Sequence, residues 1–73
     1  SYELPSRSAV TLTVYDVDGR LVKTLVSETK SPGAYTTTWE GKNDNGDPVA
    51  SGVYFYRLRA GSYVQTKKMV FLK

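Results

Sequence analysis

The chain has no cysteine and no histidine among its 73 residues. Without cysteine, no disulfide staples the fold and no thiolate can hold a metal. Without histidine, the usual general base, the commonest zinc ligand and the usual pH switch are all missing. Catalysis would have to rest on carboxylates, lysines or hydroxyls alone, and the sequence offers no catalytic set and no cofactor motif. No apolar run approaches the roughly 18–20 residues that cross a bilayer as a helix, and the start shows no signal-peptide pattern. No segment carries a helical period. Net charge is also modest: ten basic against seven acidic residues leave +3. The basic residues are scattered, with small pairs at Arg57/Arg59 and Lys67/Lys68. Neither a long basic run nor a helix carries them, so nucleic acid is not an expected partner.

What the sequence does have is strand pattern and turn chemistry. Ala9 to Asp16, AVTLTVYD, alternates, with Val10, Leu12 and Val14 on one face and Thr11, Thr13 and Tyr15 on the other. Asp18-Gly19 then predicts a type I′ hairpin, which needs positive φ at both central residues. Arg20 to Val26 is the expected return strand. Its parity is mixed, which a bulge or an edge position reconciles. Ser27 to Ala34 reads as a loop broken by Pro32-Gly33, and Ala34 to Glu40 as a third strand. Gly52 to Ala60 is an aromatic-rich strand, with Tyr54, Tyr56 and Leu58 on one face. Gly61-Ser62 turns into a last strand, Tyr63 to Lys73, and SYEL supplies a short first one. Six or seven short strands with turns between them predict an all-β fold, an antiparallel immunoglobulin or fibronectin III-like β-sandwich, as one domain over residues 1–73. The expected core is Leu12, Val14, Leu25, Trp39, Tyr54, Tyr56, Leu58 and Met69.

Three groups of residues could carry function. Asn43, Asn45 and Asp47 place side-chain oxygens at alternate positions, as a calcium loop does. Counted from Asn43, however, loop position six is Pro48 and position twelve is Tyr54, where an EF-hand needs glycine and glutamate. The metal reading is therefore a weak alternative to a plain turn, since Asn, Asp, Gly and Pro are the residues turns select. Glu40, Asp44 and Asp47 could pair for glycoside hydrolysis, but so short a chain cannot build a cleft around them. Tyr15, Phe55 and Tyr63 are expected to face outward and could form an aromatic surface for sugar stacking. The last strand, with Lys67, Lys68, Met69, Val70, Phe71, Leu72 and Lys73, reads as an edge guarded by lysines that a partner could nonetheless recognise.

Four segments together resemble a known group: SYELP, VTLTVYDVDGRLVKTLV, SPGAYTTTWEGKNDNGDPVASGVYFYRL and TKKMVFLK. In this order they resemble the C-terminal sandwich domain of large secreted bacterial proteins. That group includes type IX secretion sorting domains and is similar to the Ig-like domain of the flagellar hook-capping protein. The resemblance implies a C-terminal module that sorts or anchors a larger secreted protein at the outer membrane or cell surface, reached through the periplasm. Its partners would be the secretion or attachment machinery and a covalently linked passenger upstream. Lys67 to Lys73 would be the recognised strand. A structural Ig-like spacer or assembly domain is the alternative, and an accessory carbohydrate-binding module of a glycosidase is a second. In each the chain is not an enzyme. An open edge would also allow an edge-strand dimer.

Overall fold

The period-two alternation becomes six antiparallel strands, and no helix forms. The computed structural model describes all residues, 1–73. The strands are β1 (Tyr2–Leu4), β2 (Ser8–Tyr15), β3 (Leu21–Lys30), β4 (Gly33–Tyr35), β5 (Gly52–Ala60) and β6 (Tyr63–Phe71). Four of them form one sheet in the order β3-β2-β5-β6, and β1 pairs with β4 in a second, smaller one. Together they make the antiparallel, Ig-like all-β sandwich expected from the pattern.

The β2–β3 hairpin differs in its turn. Only glycines have positive φ, so Asp18 does not, and the type I′ expectation fails. The Gly19 amide donates to the Asp16 carbonyl at 3.0 Å, and Gly19 has φ of 83°. This is a type I turn followed by a left-handed residue, the three-residue hairpin loop with its bulge. The Asp16 carboxylate stabilises this loop, because its Oδ1 accepts from the amides of Asp18 at 2.9 Å and Arg20 at 3.0 Å. The mixed parity of the return strand has both of the anticipated causes. β3 is an edge, and its register with β2 shifts between Leu12 and Thr13 and again between Val14 and Tyr15.

Two boundaries are corrected. Ser27 to Lys30 is not a loop but the end of β3, paired with Ser8 to Thr11. The third strand shrinks to Gly33–Tyr35, and Thr36 to Glu40 run on without ladder partners. β5 matches its expected span of Gly52 to Ala60.

The buried apolar side chains are Leu4, Val10, Leu12, Val14, Tyr54 and Leu58. Of the expected core, Leu25, Trp39, Tyr56 and Met69 are only half-buried. The reason is the size of the second layer, whose two strands have three residues each against eight to ten for β2 and β3. The inner face of the large sheet therefore overhangs its cover. The radius of gyration, 12.6 Å, exceeds the about 11 Å of a compact chain this long.

One end is closed by aromatic rings instead of strands. Trp39 lies 4.9 Å from Tyr54 and 5.2 Å from Phe71, centroid to centroid. The Trp39 indole donates to the Lys42 carbonyl at 2.9 Å. The Tyr54 hydroxyl donates to the Ala50 carbonyl at 2.6 Å. This bond from the start of a strand back to the preceding corner is the tyrosine corner of Ig-like sandwiches. Gly41, buried and at φ of 74°, lies directly beneath Phe71, and a Cβ there would fall onto the ring.

Candidate functional site

The polar run Asn43 to Asp47 closes on itself. The Asn43 side-chain oxygen accepts from the amides of Asn45 and Asp47, both at 3.0 Å. The Asn43 amide donates to the Asp47 carbonyl at 2.9 Å. Of the Asn43, Asn45 and Asp47 trio, the first oxygen is thus committed to its own backbone, the Asx-turn arrangement. Asp44, between Asn43 and Asn45, has a structural role that its turn context does not signal. Asp44 reaches across to the edge of β3, where its amide donates to the Val22 carbonyl at 3.0 Å and its Oδ1 accepts from the Thr24 amide at 3.0 Å. Lys23 sits 3.9 Å from the same carboxylate. This removes Asp44 from the possible carboxylate pairs and makes the run a plug on one sheet edge. Twenty residues separate Asp44 from Thr24, so no local pattern signals the contact.

Between the overhanging sheet and the small one lies an open groove of about 250 Å³, lined mainly by apolar side chains. Leu12, Val14, Tyr56 and Leu58 form its floor, Tyr2 and Trp39 stand at its sides, and Gln65, Lys67 and Met69 border it from β6. Its volume falls just below the range of small-molecule pockets. Apart from Tyr2 and Tyr56, Lys67 is its one titratable side chain. Tyr2 stacks on Tyr35 at 5.5 Å, and its hydroxyl is buried with no hydrogen-bond partner. The Lys30 ammonium lies 4.6 Å from the Tyr35 ring centroid and 2.9 Å from Glu28. The hydrogen bond to Glu28 holds the Lys30 pKa above its usual value.

The outer face of the large sheet is polar and cationic. Tyr15 and Phe55 are opposed across β2 and β5. Arg57 donates to the Tyr15 hydroxyl at 2.7 Å and lies 5.1 Å from that ring's centroid. Arg59 and Lys68 share this face. Thr13 is buried here among Tyr15, Arg57 and Arg59. Tyr63 is elsewhere. The β5–β6 turn pairs it with Ala60, on the Tyr54–Leu58 side of the strand, and it lines a hollow with Leu4 and Leu58. Tyr15, Phe55 and Tyr63 therefore do not form one platform, because the hairpin register sends the third ring to the opposite face.

The last strand is β6, at the free edge beside β5. Its register with β5 runs unbroken from Gly52 opposite Phe71 to Ala60 opposite Tyr63. Lys67 is opposite Tyr56 and faces inward, whereas Lys68 is opposite Phe55 and faces outward. Met69 and Phe71 are half-buried, and Val70 and Leu72 are 61% and 77% exposed. Leu72 and Lys73 lie beyond the strand, where the Lys73 amide donates to the Ser51 hydroxyl at 3.0 Å.

Comparison with known proteins gives this geometry a family. Residues 1–63 match the FlgD Ig-like domain model. Over 53 residues the chain is 40% identical to the basal-body rod modification protein FlgD of Salmonella typhimurium, and equally to that of Salmonella typhi. The aligned part is 73% of this chain and 23% of each relative, so the chain spans about a quarter of their length. No solved structure matches the chain. These matches correct the expectation of a type IX sorting or surface-anchoring module. They fall on the flagellar side of the resemblance, and the family match stops at Tyr63, before the Lys67 to Lys73 stretch on which sorting was to rest. The chain belongs to the FlgD Ig-like domain family.

Proposed function

We propose that the chain is a non-catalytic structural domain that helps assemble a flagellar rod or hook, as one part of a longer polypeptide. The observation that carries this reading is the 40% identity over 53 residues to the basal-body rod modification protein FlgD. Three features of the molecule support it. Hydrogen-bonding groups that catalysis could have used are engaged in holding the chain's shape, as with Asp44 on β3 and Asn43 in its own turn. The aromatic cluster around Trp39 and the tyrosine corner fix one end of the sheet. That sheet offers neighbouring subunits a long edge and a wide polar face, which suits a protein interface better than a substrate cleft.

The test is a chimera. The aligned segment of Salmonella typhimurium FlgD is replaced either by this chain or by a glycine-serine linker of equal length, and swimming and hook formation are scored in a strain lacking the native protein. The expected result is that the chimera swims and the linker form does not. A folded, exported chimera that performs no better than the linker refutes the assembly reading.

A further inference from the structure

The two edges of the large sheet are treated differently. The β3 edge is broken by two register shifts and plugged at Val22 and Thr24 by Asp44. Bulges and covering loops are the usual means of blunting an edge. β6 has neither, with nine residues in continuous register. An edge strand leaves alternate backbone N–H and C=O groups unpaired and pointing away from the sheet. Beside it opens the apolar groove, bordered by Met69 and Lys67.

Charge decides what can add to this edge. Lys67 and Lys68 lie at the centre of β6 and face opposite sides of the sheet. Neither takes part in an ion pair, since the salt bridges of the molecule involve Arg20, Lys23 and Lys30. A second copy pairing antiparallel along the whole of β6 would set Lys67 opposite Lys67 or Lys68. Like charges directly opposed across strands are unfavourable. The same lysines attract a strand that brings two adjacent carboxylates to the centre, one for each face.

We infer that β6 is a strand-addition site for an extended segment of a partner protein, in which two adjacent acidic residues lie opposite Lys67 and Lys68 and the inward neighbours are apolar. Main-chain hydrogen bonds extend the sheet, and alternate side chains give selectivity. The residues opposite Met69 and Gln65 enter the groove beside Tyr2 and Trp39. The inference deepens the assembly reading and rests on it for the presence of a protein partner. The site lies almost wholly beyond Tyr63, where the family match ends.

The probe is the synthetic peptide Val-Thr-Val-Glu-Glu-Thr-Val-Thr-Val, titrated into the 73-residue chain and followed by amide exchange and chemical-shift mapping. At ten times its Kd, exchange of alternate β6 amides is expected to slow by about tenfold. Replacing Glu-Glu by Gln-Gln weakens binding roughly fivefold, and Lys-Lys weakens it further. In Lys67→Glu with Lys68→Glu the order inverts, and Lys67→Gln with Lys68→Gln abolishes the preference. Equal affinity for the Glu-Glu and Lys-Lys peptides, slowed amides outside β6, or β6-mediated dimers that exclude the peptide would each overturn the inference. If peptide binding is indifferent to charge while the chimera swims, only the strand site falls. If binding is selective and the chimera does not swim, only the assembly reading falls.

Discussion

Replacing Gly41 by alanine tests how the aromatic end of the sandwich is held. Two costs combine. At φ of 74°, an alanine sits in the left-handed region at a cost of about 1–2 kcal/mol. Its Cβ also falls onto the Phe71 ring, which must leave Trp39 and Tyr54, now 5.2 and 6.4 Å away. Each such aromatic pair contributes about 0.5–1.5 kcal/mol beyond its buried area. The total is about 2–5 kcal/mol, most of what a domain this small holds in reserve. Gly19→Ala is the reference, because Gly19 has φ of 83° and nothing near the position of its Cβ. That variant should lose only about 1–2 kcal/mol. Urea unfolding followed by the fluorescence of Trp39, the single tryptophan, separates the two. With a slope of about 1 kcal/mol/M, the Gly41→Ala midpoint should lie roughly 1 M or more below that of Gly19→Ala. In a Phe71→Leu background the penalty at Gly41 should fall to that at Gly19. Equal midpoints for the two single variants, or a penalty unchanged by Phe71→Leu, would refute the collision as the cause.

The remaining predictions concern polar groups. Tyr2→Phe removes a buried hydroxyl with no partner and is expected to be neutral or stabilising by up to about 1 kcal/mol, whereas Tyr54→Phe loses the bond to Ala50 and costs about 1 kcal/mol; the same urea titration reads both, and an equal loss in the two contradicts the assignment. Asp44→Ala bares the β3 edge at Thr24. It should cost about 1 kcal/mol and produce concentration-dependent association in sedimentation velocity, and a variant that stays monomeric argues against the plug. Because its partner Glu28 raises the pKa of Lys30, the stability supplied by the ammonium is fully present below the ordinary lysine value of 10.5 and is lost as pH climbs through the raised one. The stability gap between the native chain and Lys30→Met should therefore narrow above that pH in urea titrations, and a gap that stays constant contradicts the pairing.

Much of the fold was legible because strands write themselves locally. The alternation of Val10, Leu12 and Val14 names its inner face, and Gly52 to Ala60 was bounded by its turns. The absence of histidine and cysteine narrowed the available chemistry before any geometry was known. Asp18-Gly19 marks the hairpin but not its turn type, because the Asp16 carboxylate, two residues before Asp18, holds the amides of Asp18 and Arg20 in the three-residue loop. The other misses share a different cause. Docking of Asp44 on β3, burial of Leu4 and the half-exposure of Met69 depend on which strands become neighbours and how far the small sheet extends over the large one. Those are pairings between residues tens of positions apart, and a period-two pattern carries no address for them. Alternation and turn residues alone specify an all-β sandwich, and the missing histidine and cysteine restrict its chemistry. That β3 is plugged by Asp44 while β6 runs unbroken along the opposite edge emerges only when the strands pair, because an edge is set by the order of strands in the sheet and not by any strand's own pattern.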